Sequence, residues 1–339
     1  MADPILNPLV PHVHFETRAD KPRVFRITSD LIEAAKERCK LVVSTSLGEE
    51  WNDLSGLSQA VALITAADLL ADAKLPRQAL ERAAPKLRWI HVTGAGIEPL
   101  LPLDWLPQQV TLTNNSGIHI DKVRESAMML LLMLNASIPA ITSNQRKLNW
   151  RQIFSPRIHG RTVLVIGVGR MGGAVAQTAK QLGLNVFGVR RSGARHRYVD
   201  KMFKPHELDV VLPQADFVVL TAPLTAETAM LLDAERIAHM KQGAGFINMG
   251  RAGAVDHDAL AKALKNGAVS GAILDVFDPE PLPSRSPLWQ CDNLMVIPHV
   301  TSDDEDNYLP KTLDLVFENV RRLLNGEKLI NVVDPRRQY

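Results

Sequence analysis

The sequence predicts an α/β protein built on two parallel sheets, each wound with helices. Three observations predict it. Strand-like apolar runs alternate with helical patterns along most of the 339 residues, the signature of parallel layers. The length suits two domains of ordinary size. One apolar run, 163–166, feeds straight into Gly167-Val168-Gly169-Arg170-Met171-Gly172, with a helical pattern behind it through Leu182.

The elements follow in order. Residues 24–27, 41–44, 60–65, 87–92 and 110–113 read as strands, with helices at 30–38 and 76–83 between them. A long helix is predicted at 121–134, after the turn Asn114-Asn115-Ser116-Gly117, and Pro139 interrupts its continuation. A second strand, 185–189, arrives on schedule after the glycine turn. Further strands are predicted at 217–221, 245–248, 271–274 and 294–297, with a helix at 256–265. Prolines make 278–283 a stiff loop rather than a helix. A last helix is predicted at 303–324, with Ser302 or Asp303 as N-cap and Gly326 after its end. The acidic run Asp303-Asp304-Glu305-Asp306 would then sit on its first turn and complement the macrodipole, rather than bind a metal.

Composition narrows the function. A net charge of +2 gives no bulk attraction to nucleic acid or anionic membranes. Cys39 and Cys291 offer neither a disulfide framework nor metal-ligand spacing, which fits a reducing cytoplasm. Residues 1–10 lack a basic segment and carry Pro4 and Pro8, so they do not read as a signal peptide. The longest apolar run, 127–134, is too short to span a bilayer and suits a buried or subunit-interface helix. No histidine spacing suggests a metal site.

The glycine turn carries specific chemistry. Gly167 permits the sharp exit from the strand, Gly169 admits a pyrophosphate close to the backbone, and Gly172 lets helix and strand pack closely. Arg170 and Met171 open a helix whose N-terminus favours phosphate. These features predict a Rossmann dinucleotide site. After the second strand, NAD enzymes place a carboxylate on the ribose hydroxyls. This chain has Arg190-Arg191-Ser192 there instead. Guanidinium forks suit a phosphate, so NADP(H) is expected in preference, with NAD(H) possible. Three further strand ends bring charged groups to the edge where open α/β sheets bind ligands. They are Asn248-Met249-Gly250-Arg251, Asp275-Val276-Phe277-Asp278-Pro279-Glu280 and Pro298-His299.

With Thr93-Gly94-Ala95-Gly96-Ile97 and Thr221-Ala222-Pro223-Leu224-Thr225-Ala226-Glu227-Thr228, these make six motifs in a fixed order. In that order the chain resembles the D-isomer-specific 2-hydroxyacid dehydrogenases, and among them the glyoxylate/hydroxypyruvate reductases. The resemblance implies a role for each residue. Arg251 would grip the substrate carboxylate and polarise the keto oxygen. His299 would be the general acid, with Glu280 on its other ring nitrogen. Backbone N–H groups of Gly94, Ala95 and Gly96 would hold the carboxylate. Asp275 would orient the nicotinamide carboxamide. Pro223, Thr228, Met249 and Gly250 would line the cofactor. Three positions depart from the family pattern: Ala252 for Gly, Ile297 for Thr and Glu98 for Asp.

The resemblance also implies an architecture. A flavodoxin-like substrate domain, 1–120 with 300–339, would be interrupted by a Rossmann domain at 121–299. It implies a homodimer too, paired through the helix from Ala127 and the arm carrying Trp150; the cytoplasmic location is expected from the cysteine usage alone. The expected function is reduction of a small 2-oxo acid by NADPH to a D-2-hydroxy acid. The alternatives are an NAD-dependent dehydrogenase for a bulkier substrate, or a non-catalytic dinucleotide-sensing regulator on the same fold.

Overall fold

The computed structural model describes residues 10–51, 55–73 and 77–335. The chain divides into two compact units, Met1–Ile118 with Asp304–Tyr339, and His119–Asp303. The first unit opens with β1 (His12–Thr17), α1 (Ser29–Cys39), β2 (Ser44–Glu49), β3 (Ala60–Thr65), α2 (Ala67–Asp72), α3 (Arg77–Ala83), β4 (Trp89–Val92) and β5 (Thr111–Asn114). The second holds α4 (Ile120–Asn135), α5 (Ile138–Arg146), β6 (Thr162–Ile166), α6 (Arg170–Gln181), β7 (Asn185–Val189), β8 (Lys201–Phe203) and α7 (Leu208–Val211). It continues with β9 (Phe217–Leu220), α8 (Ala234–His239), β10 (Ala244–Asn248), α9 (His257–Lys265), β11 (Val269–Leu274) and β12 (Leu294–Val296). Helix α10 (Tyr308–Leu324) belongs to the first unit again.

Five parallel strands in the order β2-β1-β3-β4-β5 form the first sheet, the flavodoxin-like arrangement. Val13 and Phe15 of β1 and Ala62 and Ile64 of β3 face a core completed by Ile32 and Ala35 of α1 and Leu313, Val316, Phe317 and Val320 of α10. Leu63, Ile90, Val92 and Leu112 pack on the other side with Leu70 and Leu80. Both faces are therefore covered, as parallel sheets require.

The second unit carries seven parallel strands in the order β12-β11-β10-β9-β6-β7-β8. Strand order reverses between β6 and β9, the Rossmann switch point where ligands bind. Its two faces bury separate cores, one around Leu164, Ile166, Val218 and Phe246 and one around Val163, Val165, Val175 and Ile247. The fold class is thus the predicted one. Among the described residues no single helix is long and apolar enough to cross a membrane.

The structure corrects three elements. Residues 24–27 are not a strand: Arg23–Phe25 is a single 3-10 turn. The first strand is β1, whose alternating His12, His14 and Glu16 hide its periodicity, because that polar face is satisfied by Ser44 and Ser46 of β2. Strand β2 starts at Ser44, where the predicted 41–44 ended. The last helix begins at Tyr308, not at 303. A helix from 303 would need Pro310 to donate to Asp306 and would drive its ring into that carbonyl. The acidic run therefore lies ahead of the helix, where the Asp304 carboxylate accepts from the N–H groups of Asp306 and Asn307. The predicted start of α3 at Pro76 lies outside the described residues, as does most of the N-terminal stretch.

Candidate active site

The second unit's site begins where β6 turns into α6. Gly167 has φ 98°, and a Cβ there would stand 2.5 Å from the Ala222 nitrogen. A Cβ on Gly172 would strike the Gly167 carbonyl oxygen, so helix and strand approach as closely as backbones allow. Gly169 instead faces open space, with nothing within 4 Å of where a Cβ would be. Arg170 and Met171 form the first helical turn, whose N–H groups suit an anion. The open cradle at Gly169 fits a pyrophosphate.

The segment after β7 is a basic loop. Arg190 donates from Nη2 to the Arg195 carbonyl at 3.1 Å, while its Nε is buried with no acceptor among the described residues. An orphaned buried guanidinium nitrogen is costly and fits a site awaiting an anion. Ser192 accepts from Ala194 N–H at 3.3 Å. Arg191 pairs with Glu227 at 2.9 Å, both side chains exposed. Sequence reasoning missed that carboxylate, because Glu227 comes from the loop after β9. The same loop is closed by Thr228, whose hydroxyl donates to the Pro223 carbonyl at 2.6 Å and accepts from Thr225 N–H at 2.8 Å. Burial, then Arg190 and Arg197, push the nearby His196 below the usual histidine range.

At the end of β10, the fully buried Asn248 shapes the turn that presents Arg251. Its side chain accepts from Gly250 N–H at 2.9 Å and donates to the Arg251 carbonyl at 3.2 Å. Arg251 Nη1 also holds the Gly250 carbonyl at 2.8 Å. Met249 is buried beside it, and the side chain of Ala252 is accommodated in the interior. Asn248 was not singled out from sequence, since an amide at a strand end carries no motif of its own.

Glu280 and His299 lie together. Glu280 Oε1 accepts from Phe277 N–H at 2.8 Å, and Oε2 sits 2.9 Å from His299 Nδ1. A carboxylate partner fixes the proton on Nδ1 and leaves Nε2 for exchange. His299 has φ 55°, strained for a residue with a Cβ and typical of a functional site. The three residues after it are tied down in turn. Asp275 Oδ1 accepts from Val300 and Thr301 N–H at 3.0 and 3.2 Å, and Oδ2 accepts from the Thr301 hydroxyl. Ser126 of α4 donates to the Thr301 carbonyl, and His119 Nδ1 donates to the Ser302 carbonyl at 3.1 Å. Asp275 is thus an anchor of the histidine loop, a part that sequence alone did not suggest. Burial pushes the carboxyl of Asp275 up despite those bonds. Burial also raises Asp303, 3.8 Å from His119 Nδ1, to about 6.

In the first unit, the turn Gly94-Ala95-Gly96 follows β4. Its carbonyls are occupied: Asn115 N–H and the Asn114 amide hold Gly94 and Ala95 at 3.0 and 2.8 Å. The Thr93 carbonyl takes the Asn115 amide and the Tyr308 hydroxyl. Among the described residues no acceptor is bonded to the N–H groups of Gly94, Ala95 and Gly96. A buried chain sets this turn. Trp89 Nε1 donates to Thr113 Oγ1 at 2.7 Å, Thr113 lies 2.8 Å from His91 Nδ1, and His91 Nε2 lies 3.1 Å from Asn115 Oδ1. Complete burial lowers His91 to about 4, so the ring is neutral. No group of histidine, cysteine and acidic residues suited to a metal occurs among the described residues.

Comparison with known proteins agrees with this geometry. Residues 128–301 match the model of the D-isomer specific 2-hydroxyacid dehydrogenase, NAD binding domain. The chain is 29% identical to a glyoxylate reductase of Korarchaeum cryptofilum over 93% of its length and 96% of that protein. It is 30% identical to glyoxylate/hydroxypyruvate reductase B of Salmonella typhi, over 82% and 87% of the two chains. Its fold is similar to that of a D-isomer specific 2-hydroxyacid dehydrogenase from Xanthobacter autotrophicus solved in complex with NADPH and MES. The TM-score is 0.82 at 29% identity, covering 97% of this chain and all of that one.

Proposed function

The chain belongs to the D-isomer specific 2-hydroxyacid dehydrogenase family and is an NAD(P)-dependent oxidoreductase; from that premise we propose that it reduces a small 2-oxo acid of the glyoxylate or hydroxypyruvate type with NADPH. The product is the D-2-hydroxy acid. The observation that carries the reading is the Glu280–His299 pair, anchored through Phe277 N–H. In that pair His299 gives its Nε2 proton to the keto oxygen. Glu280 holds Nδ1–H and stabilises the protonated ring. Arg251 binds the carboxylate and polarises the carbonyl, where a planar fork does what an ammonium cannot. Gly94, Ala95 and Gly96, whose N–H groups have no bonded acceptor among the described residues, are read as carboxylate-binding N–H groups. NADPH, when bound, supplies the hydride. Gly167, Gly169, Arg170, Met171 and Gly172 would cradle its pyrophosphate, and Arg190, Arg191 and Ser192 would hold its ribose phosphate. Pro223 and Thr228 would line the cofactor, Met249 and Gly250 would lie along its nicotinamide half, and Asp275 would orient the carboxamide.

The same reading takes the protein as a cytoplasmic homodimer acting on a small acid, with no nucleic-acid or membrane partner. Two free cysteines, one buried, support a reducing compartment.

The test is steady-state oxidation of NADPH and of NADH against glyoxylate, hydroxypyruvate, pyruvate and phenylpyruvate. His299→Gln should lower kcat by about 100-fold to 10,000-fold, the usual worth of a general acid. The reductive rate should fall as pH rises and the oxidative rate should favour higher pH. Identical profiles in both directions, with chemistry rate-limiting in each, would remove His299 from the role.

A further inference from the structure

Arginines placed for a phosphate should stand ready for it, yet one of them is already engaged. Arg191 Nη2 meets Glu227 Oε2 at 2.9 Å, across from the loop after β7 to the loop after β9. The acid is not on a slack segment. Thr225 N–H and the Pro223 carbonyl are both bonded to Thr228 Oγ1, and the N–H groups of Thr228 and Ala229 return to the Thr225 carbonyl. Glu227 therefore rides on a closed turn that leaves only its side chain to move. Strand β7 ends without the acid that binds ribose hydroxyls in NAD enzymes, and Glu227 brings a carboxylate to that place from another strand.

We infer that Glu227 determines cofactor specificity: it competes with the ribose phosphate of NADP(H) for Arg191 and accepts the ribose hydroxyls of NAD(H) in its place. The inference rests on the reading of Arg190, Arg191 and Ser192 as the phosphate site. Its physical basis is charge. A phosphate monoester brings nearly two negative charges, and a carboxylate beside it repels them while occupying a fork that would otherwise bind it. With both side chains exposed, the ion pair itself is weak, so the phosphate displaces Glu227 at a modest loss of affinity rather than being excluded. The enzyme then takes both dinucleotides, with a preference smaller than its arginines alone would give.

Equilibrium titration of protein fluorescence with NADP+ and with NAD+, at low ionic strength, tests this on the wild type, Glu227→Gln, Arg191→Gln and the double variant. Glu227→Gln should tighten NADP+ by about threefold to fivefold, the range of an exposed pair, and weaken NAD+. The gain should vanish in the Arg191→Gln background. An unchanged NADP+ affinity, or an equal change for both dinucleotides, overturns the inference while the phosphate site stands. If Arg191→Gln alone leaves NADP+ binding unaltered, Arg191 holds no phosphate and the inference falls with that part of the site.

Discussion

A buried histidine and a half-buried aspartate give pH-dependent expectations of opposite sign. His91 is neutral in the folded protein down to about 4, whereas an unfolded histidine takes a proton near 6.5. The unfolded chain binds more protons between these values, so stability falls as pH drops through that window. From pH 6.5 to 5 this amounts to about 2 kcal/mol. Urea unfolding of His91→Gln should lack that share of the acid loss; equal loss in both proteins would contradict a buried neutral ring. Asp303 behaves in reverse. Its carboxyl titrates at about 6 against 3.9 unfolded, so stability declines as pH rises towards 6 and stays low above it. Asp303→Asn should raise the melting temperature at pH 8, by the equivalent of about 1–3 kcal/mol, and have little effect at pH 4. A stabilisation of equal size at both values would rule out titration as its cause. Neither value was legible in the sequence, because burial depends on which strands flank a residue. The Glu280–His299 contact was legible because ordered motifs mark strand ends. Asn248, Ser126 and His119, which hold those motifs in place, carry no signature of their own.

Among the elements, those with apolar periodicity were read well. Strands β3, β6, β7 and β9 to β11 stand within two residues of expectation, and α9 takes Asp256 as its N-cap. Strand β1 escaped because its register places His12 opposite Ser44 and His14 opposite Ser46, so a polar ladder stands where alternation was sought. The long helix was foreseen, and its break falls at Ser137, at φ 56°, just ahead of Pro139. Helix α4 buries Val123, Ala127, Leu130, Leu131 and Leu134 but leaves Met129 and Leu132 partly exposed. The arm beyond α5 exposes Leu148, Trp150 and Phe154 by 95%, 94% and 87%. Large apolar groups standing this far into water mark an interaction surface. Light scattering should give a dimer mass for the wild type and a monomer for Trp150→Ser with Phe154→Ser. A monomeric wild type would assign the arm to another partner.

At the scale of the whole molecule, alternation along the chain foretold two parallel sheets, but strand order needed the structure, since periodicity says nothing of which strands are neighbours. The cofactor reading assigns all dinucleotide contacts to the second unit. NADP+ at about 100 times its Kd should stabilise that unit by about 2.7 kcal/mol. Amide exchange in β6, α6 and β7 should slow accordingly, and protection confined to β1 and β3 would place the dinucleotide elsewhere. The discontinuity of the first unit has a consequence for how the protein is made. Phe15 and Val13 leave the ribosome early, but Leu313, Val316, Phe317 and Val320, which cover them, follow about 300 residues later. The second unit is contiguous and can close while synthesis proceeds. At about 5–20 residues per second, the apolar face of β1 waits roughly 15–60 seconds for its lid. Until α10 is made, the faces of β1 and β3 are the apolar surface that a holding chaperone would have to shield.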